Sequence, residues 1–169
     1  VDAFPVCLDT KDPDKFIETI LLLHPSFGGI NLEDIAHPKC FYILDRLRKE
    51  SPIPVWHDDQ QGTATVTLAG LVNALKVVGK NIEDVKIVFM GAGASNIRIS
   101  DIIFQAGADA KKCIMYDSKG PLHKNRSDIR DNPSLKEKLN ICRITNELGF
   151  EGPIAEALQG ADVLIALSK

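Results

Sequence analysis

Short runs of branched apolar residues alternate with helix-length segments along the whole chain, and this alternation narrows the possible folds more than any other feature. Residues 3–8, 28–32, 53–56, 85–90, 113–116 and 163–167 read as strands. Between them, residues 14–23, 38–49, 64–78, 94–106, 134–143 and 154–158 read as helices. Strands that alternate with helices of this length imply an α/β fold of parallel βαβ units. A turn-rich break at residues 79–83 divides the chain into two lobes, 1–79 and 80–169. The first closes on a helix, 64–78, that is apolar nearly all round and reads as buried. As a helix it is roughly 22 Å long, too short and too polar for a bilayer core of roughly 30 Å. No membrane association is expected.

Composition excludes several classes. With 169 residues, 44% hydrophobic and 25% charged, the chain departs from disordered, collagenous and coiled-coil compositions. A net charge of −3 speaks against a dedicated nucleic-acid binder. Cys7, Cys40, Cys113 and Cys142 are widely spaced without a C-x-x-C, which predicts buried thiols in a reduced, cytoplasmic protein. The chain starts at Val1 and its last residues, 161–169, stop in the middle of what reads as a strand, so it reads as a piece of a longer protein.

The sharpest local motif is Val85-Lys86-Ile87-Val88-Phe89-Met90-Gly91-Ala92-Gly93-Ala94-Ser95-Asn96, a strand entering G-x-G-x-x-N and opening a helix. Gly91 permits the tight turn, and Gly93 lets backbone N–H groups approach a pyrophosphate at the positive end of the helix. The third position usually takes Gly or Ala for close packing; here it is Asn96. Asp117 ends the next strand, 24 residues after Gly93, where the fingerprint places an acidic residue on the ribose. Ser118, Lys119, Lys124 and Arg126 follow, in a stretch 111–143 holding nine Lys or Arg against four Asp or Glu. This suits the 2′-phosphate of NADP, and equally an ordinary solvated surface. The second lobe thus reads as part of a doubly wound Rossmann fold for NADP or NAD.

Two acidic pairs occupy matching places in the first lobe. Glu33-Asp34 follow strand 28–32, and Asp58-Asp59 follow strand 53–56. In open parallel sheets, ligands bind beyond the carboxyl ends of the strands. Clustered carboxylates repel unless a cation joins them, and hard oxygen donors favour Mg²⁺ or Mn²⁺ over zinc. The same pairs also suit helix N-caps, and spacing leaves both readings open. Asp9, at the end of the first strand, is a weaker candidate for the same crevice. His57 reads as a proton shuttle, as a group orienting a carboxylate, or as a strand-end residue, and Trp56 as core.

With these residues in view, the chain resembles the malic enzymes, in their shorter bacterial-type form. The segments Phe27-Gly28-Gly29-Ile30-Asn31-Leu32-Glu33-Asp34-Ile35 and Ile53-Pro54-Val55-Trp56-His57-Asp58-Asp59-Gln60-Gln61-Gly62-Thr63-Ala64 carry the likeness. Gly79-Lys80, the turn Gly91 to Ala94, Asp117-Ser118-Lys119-Gly120 and Gly160-Ala161-Asp162 follow in the family's order. The resemblance implies that Glu33, Asp34 and Asp59 bind Mg²⁺ or Mn²⁺, and that Asp58 stands behind them. It places Thr63 near the cofactor, and Gly91, Ala92, Gly93, Ala94, Ser95 and Asn96 around the pyrophosphate. Asp117, Ser118 and Lys119 fall by the ribose. It further implies oxidative decarboxylation of malate to pyruvate and CO₂, by way of oxaloacetate, in a homo-oligomer such as a homodimer. Asn96 and Arg98 depart from the family's pattern. No Lys or Tyr here matches the family's general base and proton donor, so the isolated chain is expected to be inactive. Two other readings compete: a metal-dependent oxaloacetate decarboxylase, and a non-catalytic nucleotide-binding module.

Overall fold

In the computed structural model, which describes residues 1–167, the first regular element starts at a carboxylate. Asp12 accepts from the N–H groups of Asp14 and Lys15, and Pro13 occupies the first helical position. Both features favour a helix start, and α1 (Pro13–Leu23) follows. Two short strands, β1 (Ile30–Leu32) and β2 (Val55–His57), pair in parallel with Leu32 opposite His57. The helix α2 (Lys39–Glu50) connects them. Ile17 and Ile20 of α1, Ile43, Leu44 and Leu47 of α2, and Leu32 and Val55 of the strands form one buried cluster. The contacts make Val1–His57 one compact unit and Asp58–Lys169 a second. Ser168 and Lys169, the end of the predicted second lobe, lie outside the described residues.

Three expectations for the first lobe fail. Residues 3–8 form no strand: Phe4 and Val6 are exposed and no described strand pairs with them, so their backbone has no ladder to join. Cys7 is likewise exposed, unlike the three buried cysteines. Trp56 is 43% exposed because strand alternation turns Val55 and His57 inward and Trp56 outward.

The second unit opens with a single π-helical turn at Asp58–Gly62, which runs into α3 (Thr63–Val78). Gly79 ends α3 in the left-handed conformation (φ 67°), its N–H donating to the carbonyls of Leu75 and Lys76. This is the glycine-terminated helix end that the sequence indicates. Burial of α3 is one-sided, contrary to expectation: Ala64, Leu71 and Leu75 are buried, whereas Val66, Val77 and Val78 are exposed. It packs against α4 (Ala94–Gln105), so the contacts group α3 with the second unit. The sequence places the break later, at residues 79–83.

The sheet of this unit has the order β5-β4-β3-β6. Its strands β3 (Ile87–Met90), β4 (Ile114–Asp117) and β6 (Val163–Ala166) are parallel. At one edge, β5 (Gly120–Pro121) pairs antiparallel with β4. Side chains of β3 alternate between two covered faces, as a central parallel strand requires. Phe89 meets Phe104 of α4 edge-on at 6.4 Å. Val88 joins Ile114, Tyr116 and Ala157 on the opposite face, the last from a short helix numbered here after α5 (Ser127–Arg130) and α6 (Lys136–Ile144) as α7 (Ile154–Ala157). The chain leaves β3 toward β4 on one side and returns to β6 on the other. Strand order therefore reverses between β3 and β6, and such a reversal opens a ligand crevice at the carboxyl ends of the strands. Among the described residues no helix is long and apolar enough to cross a membrane.

Phe89 is fully buried at the centre of this sheet. Its replacement by Ala is expected to cost about 3–5 kcal/mol, read as a lowered urea midpoint at unchanged slope. A loss below about 1 kcal/mol contradicts the packing described.

Candidate functional site

The reversal point is built from glycine conformation and hydrogen bonds to the end of β3. Gly91 adopts φ 101°, a backbone that side chains resist, and its N–H donates to the Tyr116 carbonyl at 2.9 Å. Asn96, almost fully buried, spends its amide on the same turn. Its Nδ2 donates to the carbonyls of Met90 (2.9 Å) and Gly91 (2.8 Å). Asn96 thus ties helix to strand end, where the usual small residue would only allow close packing. Leu167 N–H also donates to the Met90 carbonyl, at 3.0 Å. Gly93 begins α4 with no side-chain cap, so the first-turn N–H groups have no side-chain acceptor and are available to a ligand. A Cβ built on Gly93 meets nothing within 4 Å. The turn therefore has room on its ligand side, and its chemistry fits a pyrophosphate.

Asp117 stands at the end of β4, and the structure surrounds it with cations. Arg126 grips it with both terminal nitrogens, at 3.2 and 3.1 Å, and Lys138 Nζ lies 3.2 Å away. The N–H of Lys119 adds a fourth contact at 2.9 Å. Burial pushes this carboxyl up, but Arg126, the Lys119 N–H and Lys138 together hold it below the usual carboxylate range. Arg126 also bonds Asp128, as does Lys119 through Nζ. Arg126 holds the Asp128 carboxyl far below its ordinary value, with Lys119 assisting. The basic stretch is thus partly neutralised at its centre. Ser118 and the Lys119 side chain remain exposed beside it. Sequence reasoning finds Arg126 as a charge, but not Lys138 as a partner of Asp117, because α6 brings that residue in from 21 positions away.

The acidic segments occupy strand ends, as the spacing implies. Glu33 and Asp34 follow β1 in the first unit, both exposed. Glu33 accepts from Asn31 Nδ2 at 2.9 Å, and Asp34 takes the left-handed conformation at φ 53°. His57 is fully buried at the end of β2. Asp58 and Asp59 start the second unit on the π-helical turn, where an added Cβ at Gly62 would collide with the Asp58 carboxylate. Gly62, to which the sequence assigns no role, allows this close approach; a larger residue there would displace the Asp58 carboxylate. Thr63 directs its Oγ1 at the Asp58 carbonyl, 3.5 Å away. Among the described residues no three His, Cys, Asp or Glu side chains form a group that could hold a metal ion. Glu33 and Asp34 belong to the first unit and Asp59 to the second; each offers carboxylate oxygens, the donor type that suits Mg²⁺ or Mn²⁺.

The turn Asp58–Gly62 is also fastened to α4. Ser95 Oγ donates to the Asp59 carbonyl at 2.6 Å, and Arg98 Nε donates to Gln60 Oε1 at 3.1 Å. Arg98 further bonds Asp101 at 3.2 Å. Arg98 reads as a departure in the sequence; the structure gives it this bracing work.

Comparison with known proteins bears on both units. A family model described as "Malic enzyme, NAD binding domain" matches residues 60–168, and "Malic enzyme, N-terminal domain" matches residues 5–48. The NAD-dependent malic enzyme of Geobacillus stearothermophilus is 46% identical over 99% of this chain and 34% of that protein. The NADP-dependent malic enzyme of Escherichia coli is 39% identical over 99% of this chain and 21% of that protein. Among solved structures, the Entamoeba histolytica malic enzyme superposes with a TM-score of 0.96 at 53% identity, covering 99% of this chain and 36% of that one. The chain therefore spans about a third or less of these relatives.

The geometry at Asp117 makes a pH-dependent prediction. Its folded-state pKa is depressed, so its stabilisation is present above the unfolded value, roughly 3.9, and is lost as pH falls through the folded value. Asp117→Asn is expected to cost about 1–3 kcal/mol at neutral pH and progressively less below about pH 4, in urea titrations across pH. A cost independent of pH contradicts the ion-pair assignment.

Proposed function

Because the chain belongs to the malic enzyme family, we propose that the protein carrying it oxidises malate with NAD⁺ or NADP⁺ and decarboxylates the product to pyruvate and CO₂. The observation that carries this reading is the uncapped, glycine-opened helix at the strand-order reversal, inside the segment that matches the family's nucleotide-binding domain. Gly91, Ala92, Gly93 and Ala94 cradle the pyrophosphate, and the N-terminus of α4 supplies N–H groups and a positive dipole end. Ser95 and Asn96 shape that cradle through their bonds to Asp59, Met90 and Gly91. Asp117, Ser118 and Lys119 border the adenosine ribose. The paired state of Arg126 and Lys138 leaves NADP⁺ only slightly favoured over NAD⁺, and relatives of both kinds occur.

Glu33, Asp34 and Asp59 bind the divalent cation, and Asp58 and Thr63 brace the turn that carries Asp59. When bound, the cation supplies Lewis-acid charge at the substrate oxygen, and the nicotinamide accepts the hydride. The residues here hold and orient; the family's general base and proton donor have no counterpart among the Lys and Tyr of this chain. Tyr42 bonds Asp14, and Tyr116 donates to the Gly152 carbonyl. The 169-residue chain alone is therefore expected to show no malate-dependent NADP⁺ reduction at an ordinary enzymatic rate.

Gly93→Val tests the reading in the whole protein. The open space at this position lets Val fit the fold while its side chain meets the incoming phosphates. Nucleotide affinity is expected to fall at least about 30-fold, or about 2 kcal/mol. Malate oxidation should be lost while decarboxylation of added oxaloacetate persists. Asp59→Ala should weaken Mn²⁺ binding at least about tenfold. Malate oxidation that survives Gly93→Val, or Mn²⁺ affinity indifferent to Asp59, contradicts the proposal.

A further inference from the structure

The acidic turn and the nucleotide helix of the second unit are joined by two side chains, Ser95 and Arg98. Ser95 sits on the first turn of α4, two residues past Gly93, and its Oγ holds the Asp59 carbonyl at 2.6 Å. One turn further on, Arg98 holds the Gln60 side chain at 3.1 Å and is itself fixed by Asp101 at 3.2 Å. Gln60 is fully buried, so its backbone has little freedom to move independently of Arg98. The held segment is a one-turn π-helix, a departure from α geometry that is frequent at functional sites. Gly62 lets the Asp58 carboxylate fold across this turn, close to where a Cβ would stand.

We propose that Ser95 is a positioning residue that couples the nucleotide turn to the cation ligand Asp59. This deepens the function proposed above and rests on it. Phosphates at the N-terminus of α4 draw on the N–H groups of its first turn, where Ser95 lies. Ordering that turn orders the peptide oxygen that Ser95 holds, and with it the residue whose carboxylate faces the cation. Arg98 and Gln60 keep the next residue of the turn in place, so displacement of Asp59 follows the Ser95 contact rather than drift of the whole segment. Coupling of two binding equilibria is reciprocal: the nucleotide tightens cation binding by the factor by which the cation tightens nucleotide binding.

The test measures that factor in the whole protein, without turnover. Mn²⁺ affinity is read by electron paramagnetic resonance with and without saturating NADP⁺ (and separately NAD⁺). Nucleotide affinity is read by calorimetry with and without Mn²⁺. The wild type is expected to show the same coupling in both directions, about fivefold or more. Ser95→Ala should reduce it to less than about twofold, whatever it does to either affinity measured alone. Ser95→Thr, which keeps the hydroxyl, should restore it. Coupling retained in Ser95→Ala, or unequal loss of both separate affinities without loss of coupling, overturns the inference and leaves the proposed function standing. A wild type that binds neither ligand overturns both.

Discussion

The peptide groups at the end of β3 must find partners as the chain turns into α4, and the candidate nucleotide site follows from how they do so. A carbonyl left unpaired there would cost about 1–3 kcal/mol. Met90 is paired by Leu167 and Asn96, Gly91 O by Asn96, and Gly91 N–H by the Tyr116 carbonyl. With the strand end satisfied internally, the N–H groups of the uncapped first turn are left as the unpaired set, facing the crevice between β3 and β6. The backbone that closes the fold thus also shapes an anion site.

The same helix reaches the acidic turn through Ser95 and Arg98. Packing of α3 against α4 supports both, which is why the contacts place the helix after the acidic turn with the nucleotide unit. At the other side of the sheet, Asp117 is held by Arg126 and Lys138. Charge that looks unopposed along the sequence is partly balanced in space. A nucleotide's ribose or 2′-phosphate would have to compete for groups that already have partners, and this keeps the choice between NAD⁺ and NADP⁺ close.

The central architecture was legible because it depends on local rules. Gly91 needs its positive φ, Gly79 ends a helix, and Val88 and Phe89 read as a strand buried on both faces. The two acidic pairs were legible as strand ends. What the sequence hid depends on partners distant along the chain. Residues 3–8 have strand composition but no ladder, and Trp56 is turned outward by a register that only the β1–β2 pairing sets. Asn96 and Arg98 read as departures from a pattern because their hydrogen-bond partners, Met90, Gly91 and Gln60, are invisible in a one-dimensional motif. The close approach of the Asp58 carboxylate to Gly62 depends on one side chain folding over the turn, which no propensity encodes.

The most direct measurement is a diffraction experiment on the whole protein with Mn²⁺ and NADP⁺ bound, using the anomalous signal of manganese. The account predicts pyrophosphate oxygens against the first-turn N–H groups of α4, over Gly91 to Ala94. It also predicts one manganese peak surrounded by carboxylate oxygens of Glu33, Asp34 and Asp59. Manganese held by other side chains, or a nucleotide bound away from the glycine turn, would contradict it.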